Sequence, residues 1–96
     1  MNPYDNTRTT GGSSGGDGAL IASNSVNLSI STDIGGSIRF PAIFNGVCGF
    51  KPSNNRVSDI GKLGPGPKHG HVHSTILSSV GPIGKSVNDL KLFMIS

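Results

Sequence analysis

The sequence holds one cysteine, Cys48, in 96 residues, so no internal disulfide can brace it, and a lone thiol fits a reducing compartment. No apolar run approaches membrane-spanning length. The opening Met1-Asn2-Pro3-Tyr4-Asp5 lacks the charged-then-apolar order of a secretory leader. A cytoplasmic protein without a membrane-spanning segment is the default expectation. Charge is also scarce: 14% of residues carry it, the net value is +3, and the eight basic residues are scattered singly from Arg8 to Lys91. A basic run able to track phosphates is missing, which takes nucleic acid out of the expected partners. Material for a core is limited as well. Apolar residues make up 33%, while 15 residues are glycine, which adds no side chain and loses the most backbone freedom on folding. A chain this short buries little more than half of its unfolded surface, so a thin-cored part of a larger domain is expected.

What is abundant is glycine beside serine. Gly11-Gly12-Ser13-Ser14-Gly15-Gly16 and Gly35-Gly36-Ser37 lie within one stretch from Thr10 to Pro41. Glycine tolerates positive φ, and without a Cβ it lets a ligand approach the backbone and its N–H donors. Two such serines point to acyl chemistry. The first cluster is not a free linker, because Asp17-Gly18-Ala19-Leu20-Ile21-Ala22 can carry a short helix with Asp17 in its first turn. Ser23-Asn24-Ser25 then stops it with side chains that favour local bonds. Val26, Leu28 and Ile30 alternate with Asn27, Ser29 and Ser31, the period of a strand whose apolar face is buried. That strand leads into Thr32-Asp33-Ile34-Gly35-Gly36-Ser37 and leaves Ser37 on a glycine turn. A tight turn exposes a hydroxyl while neighbouring N–H groups point into the same space. The order differs from a G-x-S-x-G elbow, since the glycines precede the serine and Ile38 follows it.

From Ala42 to Pro52 the pattern predicts a helical turn and a short buried strand ended by Pro52, with Cys48 as a small buried hydrophobe. Residues Met1 to Thr10 read as irregular, and Ser53 to Gly70 as a long surface loop. His69, His71 and His73 alternate, but no carboxylate or cysteine lies beside them to complete a ligand set. A solvated loop is expected there, with no metal and no cofactor. Ser78 to Lys85 reads as a turn. Ser86 precedes Asp89 by three residues, the spacing of a capping box, and Val87, Leu90, Phe93 and Met94 form one apolar stripe of a core-facing helix.

Three blocks taken together resemble the amidase signature family: Gly11 to Ile21, Thr32 to Ala42, and Gly46-Val47-Cys48-Gly49-Phe50-Lys51-Pro52-Ser53. The likeness is greatest to its fungal acetamidase and fatty-acid-amide-hydrolase branch. It continues through Arg56-Val57-Ser58 and Ser79 to Ile83 into Ser86-Val87-Asn88-Asp89-Leu90, across almost the whole sequence. The resemblance implies an α/β fold, here residues 1–96 as the central part of an amidase domain with a mixed β-sheet flanked by helices. It also implies hydrolysis of a small-molecule carboxamide by a Ser-Ser-Lys mechanism. Ser37 is then the nucleophile, Ser13 the proton relay after a cis peptide bond, and the N–H groups of Ile34, Gly35, Gly36 and Ser37 the oxyanion hole. Asp33 and Arg39 are expected to hold the turn by charge-assisted hydrogen bonds, the alternative being a surface ion pair worth little. Ser14 either orients Ser13 or caps a helix.

Two departures from the pattern stand out. The family's lysine belongs upstream of the glycine-serine cluster, and none of the ten residues before Gly11 is lysine. Thr10 also stands where proline is common. A serine without its activating partner is a weak nucleophile, so the isolated chain is expected to be inactive, either as a truncated amidase-like protein or as a remnant that pairs with another chain. A phosphate-binding loop is disfavoured because Asp17, not Lys-Ser or Lys-Thr, follows the glycines. Transamidases acting on charged tRNA share the glycine-serine blocks, but Asp17-Gly18-Ala19-Leu20 and Arg39-Phe40-Pro41 look more like the stand-alone amidases. Substrate and oligomeric state stay open.

Overall fold

The computed structural model describes residues 1–62 and 77–96. Its elements in chain order are α1 (Gly15–Ala22), β1 (Leu28–Asp33), α2 (Arg39–Phe44), β2 (Cys48–Gly49), β3 (Ser79–Gly84) and α3 (Val87–Ile95). The three strands form one sheet in the order β1-β3-β2, and both adjacent pairs are antiparallel. The α/β expectation therefore holds. The histidine triplet and the second half of the expected surface loop lie outside the described residues; residues 53–62 carry no helix or strand.

Helix α1 opens two residues before the predicted start and keeps Asp17 in its first turn. It ends as expected at Ser23-Asn24-Ser25: the Ser23 hydroxyl donates to the Leu20 carbonyl, Ser25 N–H does the same, and Asn24 takes a φ of 61°. Lys85 Nζ reaches the Ala22 carbonyl at 3.3 Å, which puts a cation on the C-terminal end of the helix. Helix α2 starts at Arg39, before Pro41 instead of after it. Proline is tolerated there because first-turn N–H groups have no intrahelical partner.

In β1 the alternation is as expected but the buried face is the other one. Ser31 and Asp33 are buried and Ser29 is half-buried, whereas Leu28 is 37% and Ile30 64% exposed. The reason is chemical. The Ser29 and Ser31 hydroxyls donate to Asp17 of α1 at 2.7 and 2.8 Å, so the polar side chains of the strand turn towards the helix.

The segment read as a turn around Gly81 and Pro82 is instead the central strand β3. A Cβ at Gly81 would collide with the Phe50 carbonyl oxygen and crowd Pro52 and Ile38, so glycine permits a close strand crossing here. Pro82 has no N–H, but its carbonyl accepts from Phe50 at 3.0 Å, at the point where β2 has already ended. Strand β2 is correspondingly short, and Cys48 is half-buried, not buried.

The core is small: Ile21, Ile38 and Ile83 pack together with Val47 against them. Helix α3 has the predicted capping box, with Ser86 Oγ accepting from Asp89 N–H and Ser86 N–H donating to the Asp89 carboxylate at 2.7 Å. Of its apolar stripe only Leu90 is buried; Phe93 and Met94 are half-buried, and Val87 is 58% exposed. The segment Met1 to Thr10 has no regular structure but is anchored. Asn2 is buried and donates to the Phe44 carbonyl at 2.7 Å, at the end of α2.

Candidate active site

The two glycine-serine segments meet. Ser14 N–H donates to the Ser37 carbonyl at 3.3 Å, joining the loop before α1 to the turn after β1. The peptide bond between Gly12 and Ser13 is cis, as the resemblance implied. Ser13 is exposed and Ser37 half-buried. Ser14 occupies the N-cap of α1, where its carbonyl accepts from Gly18 but its side chain makes no capping bond.

Asp33 fixes the turn. Its side chain is fully buried and accepts from the N–H of Gly36 at 2.7 Å, of Ile38 at 3.1 Å and of Arg39 at 3.3 Å. Arg39 adds a two-pronged contact, Nε to Oδ2 and Nη2 to Oδ1, both at 3.0 Å. Burial pushes the Asp33 carboxyl up, but the Arg39 guanidinium and the three N–H groups outweigh burial and hold it well below the usual carboxylate range. Asp33 in turn raises the Arg39 guanidinium, whose side chain stays 51% exposed. This is a buried carboxylate wrapped by backbone donors, so the surface-pair alternative is set aside.

The glycines divide by their surroundings. Gly36 has a φ of +122°, and a Cβ there would strike the Phe40 ring. Gly11, at φ +76°, packs against Phe44, Pro41 and the Phe40 carbonyl carbon, with 3.1–3.3 Å for an added Cβ. Gly12, Gly16 and Gly35 face open space, with nothing within 4 Å of an added Cβ. Of the four N–H groups that the resemblance places in the oxyanion hole, that of Gly36 is donated to Asp33, while those of Ile34, Gly35 and Ser37 have no partner among the described residues. The turn thus holds three N–H groups without a partner among the described residues, and at Gly35 nothing crowds the space above the backbone.

Two contributors escaped the sequence reading. Asn45, after α2, is fully buried and donates to the Thr10 and Pro41 carbonyls. Asp17 ties α1 to β1 through two serines. The signal for Asn45 was slight: one polar residue before Gly46 in an apolar stretch, which also describes an ordinary helix end.

The amidase family profile matches residues 1–96. The chain belongs to the amidase family. Fatty-acid amide hydrolase 1 of Sus scrofa is 48% identical over 91 residues, which is 95% of this chain and 15% of that protein. A glutamyl-tRNA(Gln) amidotransferase chain of Sulfolobus acidocaldarius is 46% identical over 91 residues, 95% of this chain and 17% of the relative. A solved fatty acid amide hydrolase superposes with a TM-score of 0.84 at 35% identity, covering 98% of this chain and 16% of the other. The chain thus spans less than a fifth of the length of these amidase relatives. An amide hydrolase and an amidotransferase are both close in sequence, so identity alone does not separate the two branches. Among the described residues no group of three His, Cys, Asp or Glu side chains is placed to hold a metal ion. No helix among them is long and apolar enough to cross a membrane.

Proposed function

We propose that residues 1–96 are the central part of an amidase domain and carry the acyl-transfer centre of a carboxamide hydrolase, with Ser37 as nucleophile and Ser13 as proton relay. The observation that carries this reading is the Ser14-to-Ser37 hydrogen bond at 3.3 Å, which sets the two serine segments side by side at a turn with three N–H groups that have no partner among the described residues. Ser37 Oγ attacks the amide carbonyl carbon, and the C=O electron pair moves onto oxygen. The N–H groups of Ile34, Gly35 and Ser37 donate to that oxyanion; Gly36, whose hydrogen goes to Asp33, joins them only by releasing it. The Ser37 proton passes to Ser13, and Ser13 delivers a proton to the departing nitrogen as the C–N bond breaks. Water then hydrolyses the acyl ester on Ser37. Asp33 and Arg39 act by holding the turn, and Ser14 by joining the two segments through its backbone.

The lysine that the family resemblance calls for has no counterpart among residues 1–10, and we assign the role to no residue of this sequence. The small core of Ile21, Ile38 and Ile83 favours a second reading, in which this chain binds or assembles without turning over substrate. A serine-directed fluorophosphonate probe separates the two. The first reading expects stoichiometric attachment at Ser37, its loss in Ser37→Ala, and a labelling rate about 10² or more slower in Ser13→Ala. Modification at other serines with Ser37 untouched would falsify the nucleophile assignment. Attachment at Ser37 without release of amine from any short-chain or long-chain amide supports the second reading.

A further inference from the structure

Asn45 belongs to neither serine segment, yet it touches the supports of both. Its Nδ2 donates to the carbonyl oxygens of Thr10 and Pro41, each at 2.8 Å. A primary amide has two N–H donors, so these bonds use both. They also fix which way the amide faces: reversed, Oδ1 would sit against two carbonyl oxygens with no proton between them. In the orientation present, Oδ1 is buried without a partner among the described residues. A bare buried acceptor is unfavourable, and this side chain tolerates one in order to place both hydrogens on the same side.

The two carbonyls are not arbitrary neighbours. Thr10 immediately precedes Gly11, whose left-handed turn leads to Ser13. Pro41 lies in the first turn of α2, the helix that begins two residues after Ser37. The surrounding space is closed: a Cβ on Gly18 would come within 2.7 Å of Asn45 Nδ2 and 3.1 Å of the Pro41 carbonyl oxygen. The backbone hydrogen bond that joins the two segments directly, Ser14 to Ser37, is long at 3.3 Å.

We propose that Asn45 is a positioning residue for the amidase reaction, setting the separation of Ser13 and Ser37 through its two donors. The proposal rests on the reading of those serines as relay and nucleophile. Chemistry restricts the position. An ionised aspartate has no donor and sets a negative charge against two carbonyl oxygens, serine has one donor for two acceptors, and glutamine carries its amide one methylene too far for the same two bonds.

The test compares the full chain as wild type, Asn45→Asp and Asn45→Ser by residue-resolved amide hydrogen exchange and by the rate of fluorophosphonate attachment to Ser37. Exchange reads geometry whether or not the chain is active. The Ser14 amide should exchange about tenfold or more faster in Asn45→Asp and by a smaller factor in Asn45→Ser, while the Leu90 amide of α3 keeps its wild-type rate. Labelling of Ser37 should slow in the same order. A residue that served global stability alone would move Ser14 and Leu90 together, and that result overturns the proposal. So does an unchanged Ser14 rate in both variants, whatever the labelling shows. If Asn45→Asp loses Leu90 protection by unfolding, Asn45→Ser, which keeps one donor, decides by the same two amides. Faster Ser14 exchange with no labelling even in wild type removes the catalytic role by removing Ser37 as nucleophile, and leaves Asn45 as a tether.

Discussion

Around Ser37 the backbone is held by one buried carboxylate with five donor contacts, whereas around Ser13 it is held by neutral hydrogen bonds and by the fit of glycines against α2. The first arrangement depends on ionisation, because Asp33 must stay charged to draw three N–H groups and a guanidinium inward. The second depends on volume, because Gly11 and Gly18 leave no room for a methyl group beside Pro41 and Asn45. A nucleophile turn that aims N–H groups at a developing charge needs little freedom. On the proposed reading Ser13 passes a proton both ways, and its segment is held by hydrogen bonds between neutral groups.

The largest expected effect comes from removing the charge at Asp33. The amide introduced by Asp33→Asn offers one acceptor oxygen where two carboxylate oxygens stood, so at least one buried N–H loses its partner and Arg39 turns to water. We expect a loss on the order of 3 kcal/mol, seen as a fall of roughly 15 °C in Tm for a chain of this size. The wild type should also show a pH dependence that the variant lacks. Unfolded, Asp33 titrates near the ordinary value of about 4; folded, it titrates well below. Above about pH 5 its contribution is complete. As pH falls through the interval between those two values the unfolded chain takes up the proton first, and stability drops. Thermal melts from pH 7 down to pH 2 check both points, and parallel profiles for the two proteins would count against the turn as described.

Next come the paired glycines. Gly36→Ala meets both a φ of +122° and the Phe40 ring, and should cost about 2 kcal/mol in denaturant unfolding. Gly35→Ala points its methyl group into open space and should stay within about 0.5 kcal/mol of wild type. If Ser37 is the nucleophile as proposed, the same methyl crowds the side from which an acyl group reaches it, and fluorophosphonate attachment to Ser37 should slow roughly tenfold or more. Stability and labelling that fall together in both variants would show that Gly35 is a packing residue like its neighbour.

Much of this division was readable in advance, and what was not has a common cause. The Asp33 turn before Ser37, the α1 stop at Ser23 and the Ser86 capping box depend on neighbours a few residues away, and those neighbours are visible in the sequence. A period of two in β1 says that sides alternate, not which side is covered; that was decided by Asp17, whose partners Ser29 and Ser31 are 12 and 14 residues distant. Gly81 and Pro82 have turn composition, and only the Phe50 carbonyl packed against Gly81 explains why a central strand uses them. Asn45 is the extreme case, since its role rests on Thr10, 35 residues earlier.

The smallest expected effect probes the Ser13 side from behind. Asp17 anchors α1 by accepting the Ser29 and Ser31 hydroxyls at 2.7 and 2.8 Å, and it stands in the helix's first turn, where negative charge is favourable. In Asp17→Asn one hydroxyl still finds a carbonyl oxygen, and the other can rotate to accept from the new NH₂ group. No buried group is stranded, so the loss should be about 1 kcal/mol. Ser37 labelling should stay within about twofold of wild type, because neither serine segment loses a contact of its own. Unfolding curves and labelling rates measured on the same preparation test this. If Asp17→Asn destabilises the chain more than Asp33→Asn does, the contrast between a charge-held turn and a fit-held loop is reversed, and α1 rather than the Asp33 turn is the fixed point of the site.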